Sequence, residues 1–206
     1  MIIAVDGPTA SGKGTIARAL AEHFHLPHLD TGLLYRAVGR QVALNGGNPD
    51  NEADALAACH FPVDLLEEPD LRSEVTGGLA SRVSIHPAVR KALFERQRAF
   101  ALQAGGAVLD GRDIGTVIAP EADVKLFVTA SIETRAKRRH AEMIEAGYAT
   151  TLKEIVDDLR ARDERDTNRK DAPLRPADDA TVFDTSDTDR QKAAAWAIEL
   201  VTQPFA

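Results

Sequence analysis

The chain has 206 residues, enough to bury a full hydrophobic core, and is most simply one domain with an insertion or lid. Its formal net charge of −7 argues against nucleic acid and anionic membranes as partners, since both attract net basic domains. Cys59 is the only cysteine, which excludes an intramolecular disulfide, and the apolar start is too short for a signal peptide or a membrane span. We expect a cytoplasmic monomer.

The first patterned stretch covers residues 2–15. Residues 2–5 form an apolar run typical of a buried parallel strand, and glycines follow at positions 7 and 12. Glycine permits backbone angles that turn successive N–H groups toward an anion, at the positive end of the next helix. Lys13 adds a full charge there, and the Thr15 hydroxyl is placed to reach Mg²⁺ through water.

This stretch has the form G-x-x-x-x-G-K-G-T, which resembles the loop of nucleoside monophosphate kinases more than that of GTPases or motor ATPases. A plain glycine-rich turn between strand and helix is the alternative. We favour the phosphate loop because strand, loop and helix occur in the order that the motif requires. The residues expected to bind the donor phosphates are Gly7, Pro8, Thr9, Ala10, Ser11, Gly12, Lys13, Gly14 and Thr15.

Helices and short strands alternate along the rest of the chain. Helical spacing predicts a helix at 13–24, one that begins near Thr31 with Asp30 or Thr31 as its cap, and others at 50–59, 86–103, 132–147, from 152 onward and at 189–203. The predicted strands cover 2–5, 28–30, 107–110, 124–128 and 181–183, with a weaker one at 62–65. This alternation predicts an α/β fold with a five-stranded parallel sheet flanked by helices.

Ligands of such sheets bind at the carboxyl ends of the strands. The phosphate loop, Asp30-Thr31 and residues 110–113 all follow predicted strands, so we expect them to share one crevice. Among these residues, Arg112 is the least readily explained as a surface ion pair, because it comes directly after a buried strand.

Residues 135–170 are rich in arginine and aspartate. Such a run is usually a solvated face with i,i+4 ion pairs. However, Arg135, Arg138 and Arg139 share one helical face, as do Arg162, Asp166 and Arg169, and each set could point into the crevice. The two helices form a hairpin able to swing as a lid. Guanidinium groups hold phosphate bidentately and stay charged, which suits a phosphotransferase.

Taken together, the motifs resemble those of the bacterial cytidylate kinases, a family of nucleoside monophosphate kinases, over essentially the whole chain. The stretches that carry the resemblance are 6–15, 30–36, 81–90, 110–116 and 162–169. The first indicates only a phosphate-binding kinase or ATPase, whereas the last four together are specific. The stretch between Asp30 and Ser81 looks shorter than in the longer members, so we expect a trimmed insert.

The resemblance implies roles for individual residues. Those matching the catalytic groups are Lys13, Arg112, Arg138 and Arg139, with the last two expected on the ATP phosphates. Those matching cytosine-reading positions are Ser81, Arg90 and Asp113. Those matching contacts to the sugar hydroxyls are Arg162 and Asp166. Those matching the acceptor phosphate site are Arg36, Arg112 and Arg169, with Thr31 and Tyr35 nearby.

The same resemblance implies a division of the chain and a reaction. The core is expected at 1–36, 86–134 and 174–206, a nucleoside monophosphate-binding insert at about 37–85, and the lid at about 135–173. The expected reaction transfers the γ-phosphoryl group of ATP, with Mg²⁺, to CMP or dCMP. Alternatives are a small P-loop kinase acting on UMP, AMP, GMP or shikimate, or a nucleotide-binding switch. The switch usually carries an N-K-x-D motif, which the sequence lacks.

Overall fold

The computed structural model describes residues 1–202 and contains a five-stranded parallel sheet in the order β2-β3-β1-β4-β5. The strands are β1 Ile2–Asp6, β2 His28–Asp30, β3 Ala107–Gly111, β4 Val124–Thr129 and β5 Thr181–Asp184. The fold class predicted from the sequence is confirmed. Apolar side chains from β1, β3 and β4 lie in the core because both faces of these strands are covered.

Eight α-helices surround the sheet within residues 1–202. Their bounds are α1 Lys13–Phe24, α2 Thr31–Leu44, α3 Glu52–Ala57, α4 Glu74–Val83, α5 Pro87–Ala101, α6 Ile132–Glu145, α7 Leu152–Asn168 and α8 Arg190–Thr202. Helices α1 and α8 pack on one face of the sheet, where Trp196 stacks on Phe183 with ring centroids 3.8 Å apart. Trp196 is partly buried there and packs against the core.

Strand register explains why the polar segments meet. In the parallel pairs, Asp6 lies opposite Gly111 of β3, and Asp30 lies opposite Asp110. The loops after β1, β2 and β3 therefore leave the sheet at one edge, as parallel strands require. This edge carries the phosphate loop and the turn that begins at Arg112.

Helices α2 to α5 build a second apolar cluster, and α6 and α7 build a small one around Ala136, Met143, Ile155 and Leu159. Helix α4 lies so close to α2 that a Cβ on Gly39 would stand 2.7 Å from the Leu79 Cβ. A glycine is required at that contact. None of the helices in residues 1–202 combines the length and apolarity that a membrane crossing needs.

Some sequence expectations are wrong in detail. Residues 62–65 are not a strand: a 3₁₀ turn covers Val63–Glu67, Leu65 alone of these is buried, and Val63 is 69% exposed. The helix expected at 50–59 is only α3, since Asn51 caps it and a 3₁₀ turn follows at Ala58–His60.

Two helix ends also need correction. Asp30 stands at the N-terminus of α2 without making a capping hydrogen bond, because its carboxylate faces Arg72 at 3.6 Å. Helix α8 ends at Thr202, and residue 203 of the predicted helix lies outside the described residues. Helix α2 continues through positions 36 and 37, where the core was expected to pass into the insert.

Candidate active site

The phosphate loop leaves β1 and enters α1 with its amide groups free for an anion. Gly12 precedes α1 at φ 94°, and no side chain caps that helix. The Ser11 hydroxyl is fully buried and has no hydrogen-bond partner within residues 1–202. Gly7 passes so close to β4 that a Cβ there would stand 2.0 Å from the Val128 carbonyl oxygen. Free N–H groups and an unpartnered hydroxyl are what a phosphate-binding loop requires.

Lys13 lies at the base of this loop. Its ammonium donates a hydrogen bond to the Pro8 carbonyl at 3.4 Å. The pKa of Lys13 is lowered to about 8. Desolvation is the main cause and the nearby Arg112 guanidinium adds to it, whereas Asp110 and Asp30 oppose it. A polyanion above the loop would stabilise the charged form of this lysine.

Arg112 joins three parts of the molecule. Its Nη2 donates to the Thr9 hydroxyl of the phosphate loop at 2.7 Å, and its Nε donates to Asp166 of α7 at 2.8 Å. Arg112 itself follows β3, so one side chain connects the phosphate loop (residues 7–15, the predicted donor loop), the edge of the sheet and the predicted lid. The Thr31 hydroxyl lies beside this region and donates to the Asp110 carbonyl at 2.8 Å.

A second group of side chains surrounds Asp113. Its carboxylate accepts a hydrogen bond from Arg90, and Arg169 Nη2 lies 3.5 Å from its other oxygen without a hydrogen bond. The Arg90 guanidinium also lies 5.7 Å from the ring centre of Tyr35. Ionised between two guanidinium groups, Asp113 presents acceptor lone pairs only, which suits recognition of an amino group.

Ser81 of α4 lines the same cavity as Asp113. Its hydroxyl oxygen accepts a hydrogen bond from Arg165 Nε at 2.9 Å. Since a hydroxyl has one proton and that bond uses an oxygen lone pair, the proton of Ser81 remains available to an acceptor in the cleft. Arg165 was not among the residues expected from the sequence.

Three guanidinium groups gather around Glu74, at the start of α4. Glu74 accepts hydrogen bonds from Arg162 and from Arg139, the latter at 2.6 Å. Arg36 and Arg162 both approach Gly77, where an added Cβ would stand 2.9 Å and 2.7 Å from their nitrogens. The pKa of Arg36 is lowered to about 10, mainly by burial and in addition by the neighbouring Arg162 guanidinium. Two further carboxylates balance this charge, since Asp158 lies 2.7 Å from Arg162 and Glu142 lies 3.4 Å from Arg139.

The remaining lid arginines are held near the phosphate loop. Arg138 donates to the Thr185 hydroxyl at 3.0 Å and to the Thr185 carbonyl at 2.6 Å, in the loop after β5. Arg135 forms a bidentate pair with Asp163 and donates to the Thr9 carbonyl at 3.2 Å. Arg138 therefore lies on the donor side, whereas Arg139 lies against the insert.

Most of these groups line one cavity of about 450 Å³, whereas Glu74, Arg135, Asp163 and Arg165 lie outside its lining. The sequence-predicted residues that line it are Thr9, Ala10, Gly12, Lys13, Gly14, Thr15, Thr31, Tyr35, Arg36, Ser81, Arg90, Arg112, Asp113, Arg138, Arg139, Arg162, Asp166 and Arg169. Gly7, Pro8 and Ser11 are buried beneath the loop surface. Arg36, Arg112 and Arg169, expected together on one phosphate, all line this cavity.

Sequence reasoning missed several partners of the site residues. Thr185 and Asp6 each stand at the carboxyl end of a strand, and that position was a signal that could have identified them. Glu74 and Arg165 stand on helices among many similar charges, and nothing local distinguishes them. Their positions depend on how α4 packs against α7.

A phosphate loop with a buried lysine, facing guanidinium groups across one cavity, defines a P-loop phosphotransferase of the nucleoside monophosphate kinase class. A solved structure of an uncharacterized protein from Eubacterium ventriosum has a similar fold, with a TM-score of 0.58, 16% identity and 99% of each chain covered. The cytidylate kinase family model matches residues 3–203.

Curated relatives carry the same family name. The cytidylate kinase of Xanthobacter autotrophicus is 53% identical over 98% of this chain and 97% of its own length. Those of Caulobacter sp. strain K31 and Brucella suis biovar 1 are 52% and 50% identical, over 93% and 100% of this chain and 89% and 94% of their own lengths. The chain belongs to the cytidylate kinase family, which confirms the resemblance found in the sequence.

Proposed function

We propose that the chain transfers the γ-phosphoryl group of ATP to CMP or dCMP, giving ADP and CDP or dCDP. The observation that carries this proposal is that Arg112 contacts Thr9 of the donor loop and, in the same cavity, Asp166 beside the acceptor groups. Donor and acceptor phosphates on either side of this arginine would lie near enough for direct transfer.

The reaction requires charge neutralisation rather than a protein base. An acceptor phosphate oxygen is already ionised near neutral pH and attacks the γ-phosphorus in line. Lys13 and Arg112 face the oxygens on which charge accumulates, and Arg138 and Arg139 are proposed to meet the ATP phosphates from α6. Fixed donors in a site from which water is excluded stabilise such charge strongly.

The residues present fit ATP and Mg²⁺. The uncapped start of α1, where Lys13 lines the cavity, fits a polyphosphate. Within residues 1–202 no cluster of three or more His, Cys, Asp or Glu side chains could hold a metal by itself. This suits Mg²⁺, which usually takes few protein ligands and keeps several waters. Thr15, through water, would hold the ion, which would neutralise phosphate charge when bound.

We further propose the domain division expected from the sequence. Residues 1–36, 86–134 and 174–206 would form the core, 37–85 the acceptor-binding insert and 135–173 the lid. The separate apolar cluster of the α6–α7 pair supports the proposed bounds of the lid. Within it, Ser81, Arg90 and Asp113 would bind cytosine, and Arg162 and Asp166 the sugar hydroxyls. Arg36, Arg112 and Arg169 would bind the acceptor phosphate, near Thr31 and Tyr35.

An acceptor panel tests this function. ADP release from ATP would be measured by a coupled assay with CMP, dCMP, UMP, AMP, GMP and shikimate, and without an acceptor. We expect the highest kcat/KM with CMP or dCMP and negligible release without an acceptor. A better acceptor than both would overturn the base assignment, and rapid acceptor-independent hydrolysis would favour a nucleotide switch.

A further inference from the structure

Asp6 connects the donor loop to the turn that carries two acceptor-site residues. It is the last residue of β1 and precedes Gly7 of the phosphate loop. Its two carboxylate oxygens accept hydrogen bonds from the backbone N–H groups of Ile114 and Gly115, each at 2.8 Å. These amides immediately follow Arg112 and Asp113 in the chain. A single buried side chain thus fixes the backbone beside both residues.

Only a carboxylate can make this connection in full. Two N–H donors require two acceptor atoms, whereas an asparagine side chain offers one acceptor and would turn an NH₂ group toward the other donor. Asp6 is 5% exposed, and within residues 1–202 no cationic side chain pairs with it within 4 Å. Burying an ionised carboxylate that only backbone donors stabilise costs free energy. We therefore expect the ionised form of Asp6 to have a role.

Charged groups around Asp6 do not replace these donors. The pKa of Asp6 is raised to about 7, and burial is the main cause. Asp113 adds to the rise, whereas the two N–H groups and Arg112 oppose it. Lys125 of β4 passes Gly115 with its carbon chain, but its ammonium pairs with Asp179 at 2.6 Å. The two backbone hydrogen bonds are therefore the main direct support of the charge.

We propose that Asp6 is a positioning residue for phosphoryl transfer, whose ionised carboxylate fixes the turn after β3 so that Arg112 and Asp113 face the acceptor. This inference rests on the proposed function. The contact of Arg112 with Thr9 closes the connection from the other side, because Thr9 lies within the phosphate loop that directly follows Asp6. If Asp6 released the turn, Arg112 would move relative to the donor phosphates, and small misplacements reduce transfer strongly.

The test compares Asp6→Asn with Asp123→Asn. Asp123 is a matched control because its carboxylate accepts a hydrogen bond from the Ile2 N–H at 2.7 Å, at the opposite end of β1. We expect Asp6→Asn to lower kcat/KM for CMP about 10- to 100-fold, with KM for ATP changed less than about threefold. Asp123→Asn should leave both parameters unchanged. Equal rises in KM for both substrates, or unchanged CMP kinetics, would overturn the positioning role.

A measurement on the unmodified protein covers the case in which Asp6→Asn does not fold. In ¹⁵N-resolved NMR spectra of the free protein, the amide signals of Ile114 and Gly115 and the Arg112 Nε–H signal should titrate together near pH 7. The Ile2 amide should not follow them. An Arg112 signal insensitive to this titration would overturn the proposal, since the turn would not transmit the state of Asp6.

The kinetic comparison remains informative if CMP is not the preferred acceptor. It would then be repeated with the best acceptor of the panel. A loss confined to that acceptor would support the role of Asp6 even though the assignment of CMP had failed. A rise in KM shared equally with ATP would contradict the role of Asp6 whichever acceptor is preferred.

Discussion

The donor loop and the arginine-lined wall of the cleft bind anions in different ways. The loop spans residues 7–15 and uses backbone N–H groups and one lysine. The wall draws its guanidinium groups from α2, α5, α6, α7 and the turn after β3, and each is already held by a carboxylate or carbonyl of the protein. A contiguous loop can be built by local sequence, whereas the wall exists only in the folded chain.

This difference has an energetic consequence. The start of α1 has no capping side chain, and Lys13 donates one hydrogen bond, to the Pro8 carbonyl, so a phosphate displaces few protein contacts there. On the wall, an incoming phosphate must join or replace existing partners such as Glu74. Removing one member of a buried charged pair leaves the other uncompensated, which costs several kcal/mol. Substitutions on the wall are therefore expected to disturb their neighbours as well as the ligand.

The largest expected effect comes from the donor side. Lys13→Ala should reduce turnover by about 10²- to 10³-fold, because it removes the full charge that the loop itself directs at the transferred phosphoryl group. Turnover would be measured by coupled ADP release with saturating CMP. Thermal unfolding followed by circular dichroism should show that the variant remains folded. Near-normal turnover would contradict the assignment of this loop as the donor site.

The second effect tests the residue that joins the two regions. Arg112→Lys keeps the charge but cannot bond Thr9 and Asp166 at once as the planar guanidinium does. We expect kcat to fall about 10- to 100-fold with a smaller change in KM for ATP.

Arg98→Lys is a matched control for Arg112→Lys, since Arg98 pairs with Glu121 outside the described cavity. Steady-state kinetics of both variants provide the measurement. Equal kinetics for the two variants would show that charge alone suffices at position 112.

The two regions also differ in how far the sequence could predict them. The loop was predicted residue by residue, because glycine spacing and the flanking apolar run are local features. The parallel sheet and the shared edge followed from alternation and from the geometry of parallel sheets, whereas the strand order was not predicted. The error at 62–65 arose because a short apolar stretch beside a proline does not distinguish a strand from a 3₁₀ turn.

On the wall, the sequence predicted the presence of arginines but not their partners. Arg138 contacts Thr185, whereas Arg139 contacts Glu74. This difference depends on how α6 is rotated about its axis, and helical spacing predicts only that both residues lie on the same face. Likewise, Arg165 reaches Ser81 because α7 lies against α4. Such contacts between distant segments have no local signal.

A third, smaller effect is expected at Glu74. Its carboxylate holds Arg139 and Arg162, and these guanidinium groups keep the pKa of Glu74 below its usual value although burial opposes this. Glu74→Gln should lower KM for CMP roughly fivefold, about 1 kcal/mol, because a negative charge that competes with phosphate is removed. The change should be measured by steady-state kinetics at constant ATP.

Glu142→Gln is the matched control for Glu74→Gln. Glu142 also contacts Arg139, at 3.4 Å, but from within α6 rather than across the cleft. It should change KM for CMP less than Glu74→Gln does. A higher KM in Glu74→Gln would mean that Glu74 orients the guanidinium groups for phosphate rather than competing with it.

The smallest effect is a fractional proton uptake at the donor loop. The pKa of Lys13 is about 8 in the free protein, so about half of the molecules carry a neutral lysine at pH 8. Bound polyphosphate favours the ammonium form and raises this pKa, so ATP binding at pH 8 should take up about half a proton and weaken as the pH rises further. Calorimetry in buffers of different ionisation enthalpy measures the uptake. In Lys13→Arg the side chain stays charged, and the uptake should vanish while ATP still binds. An uptake unchanged in that variant would place the titrating group elsewhere on the cleft.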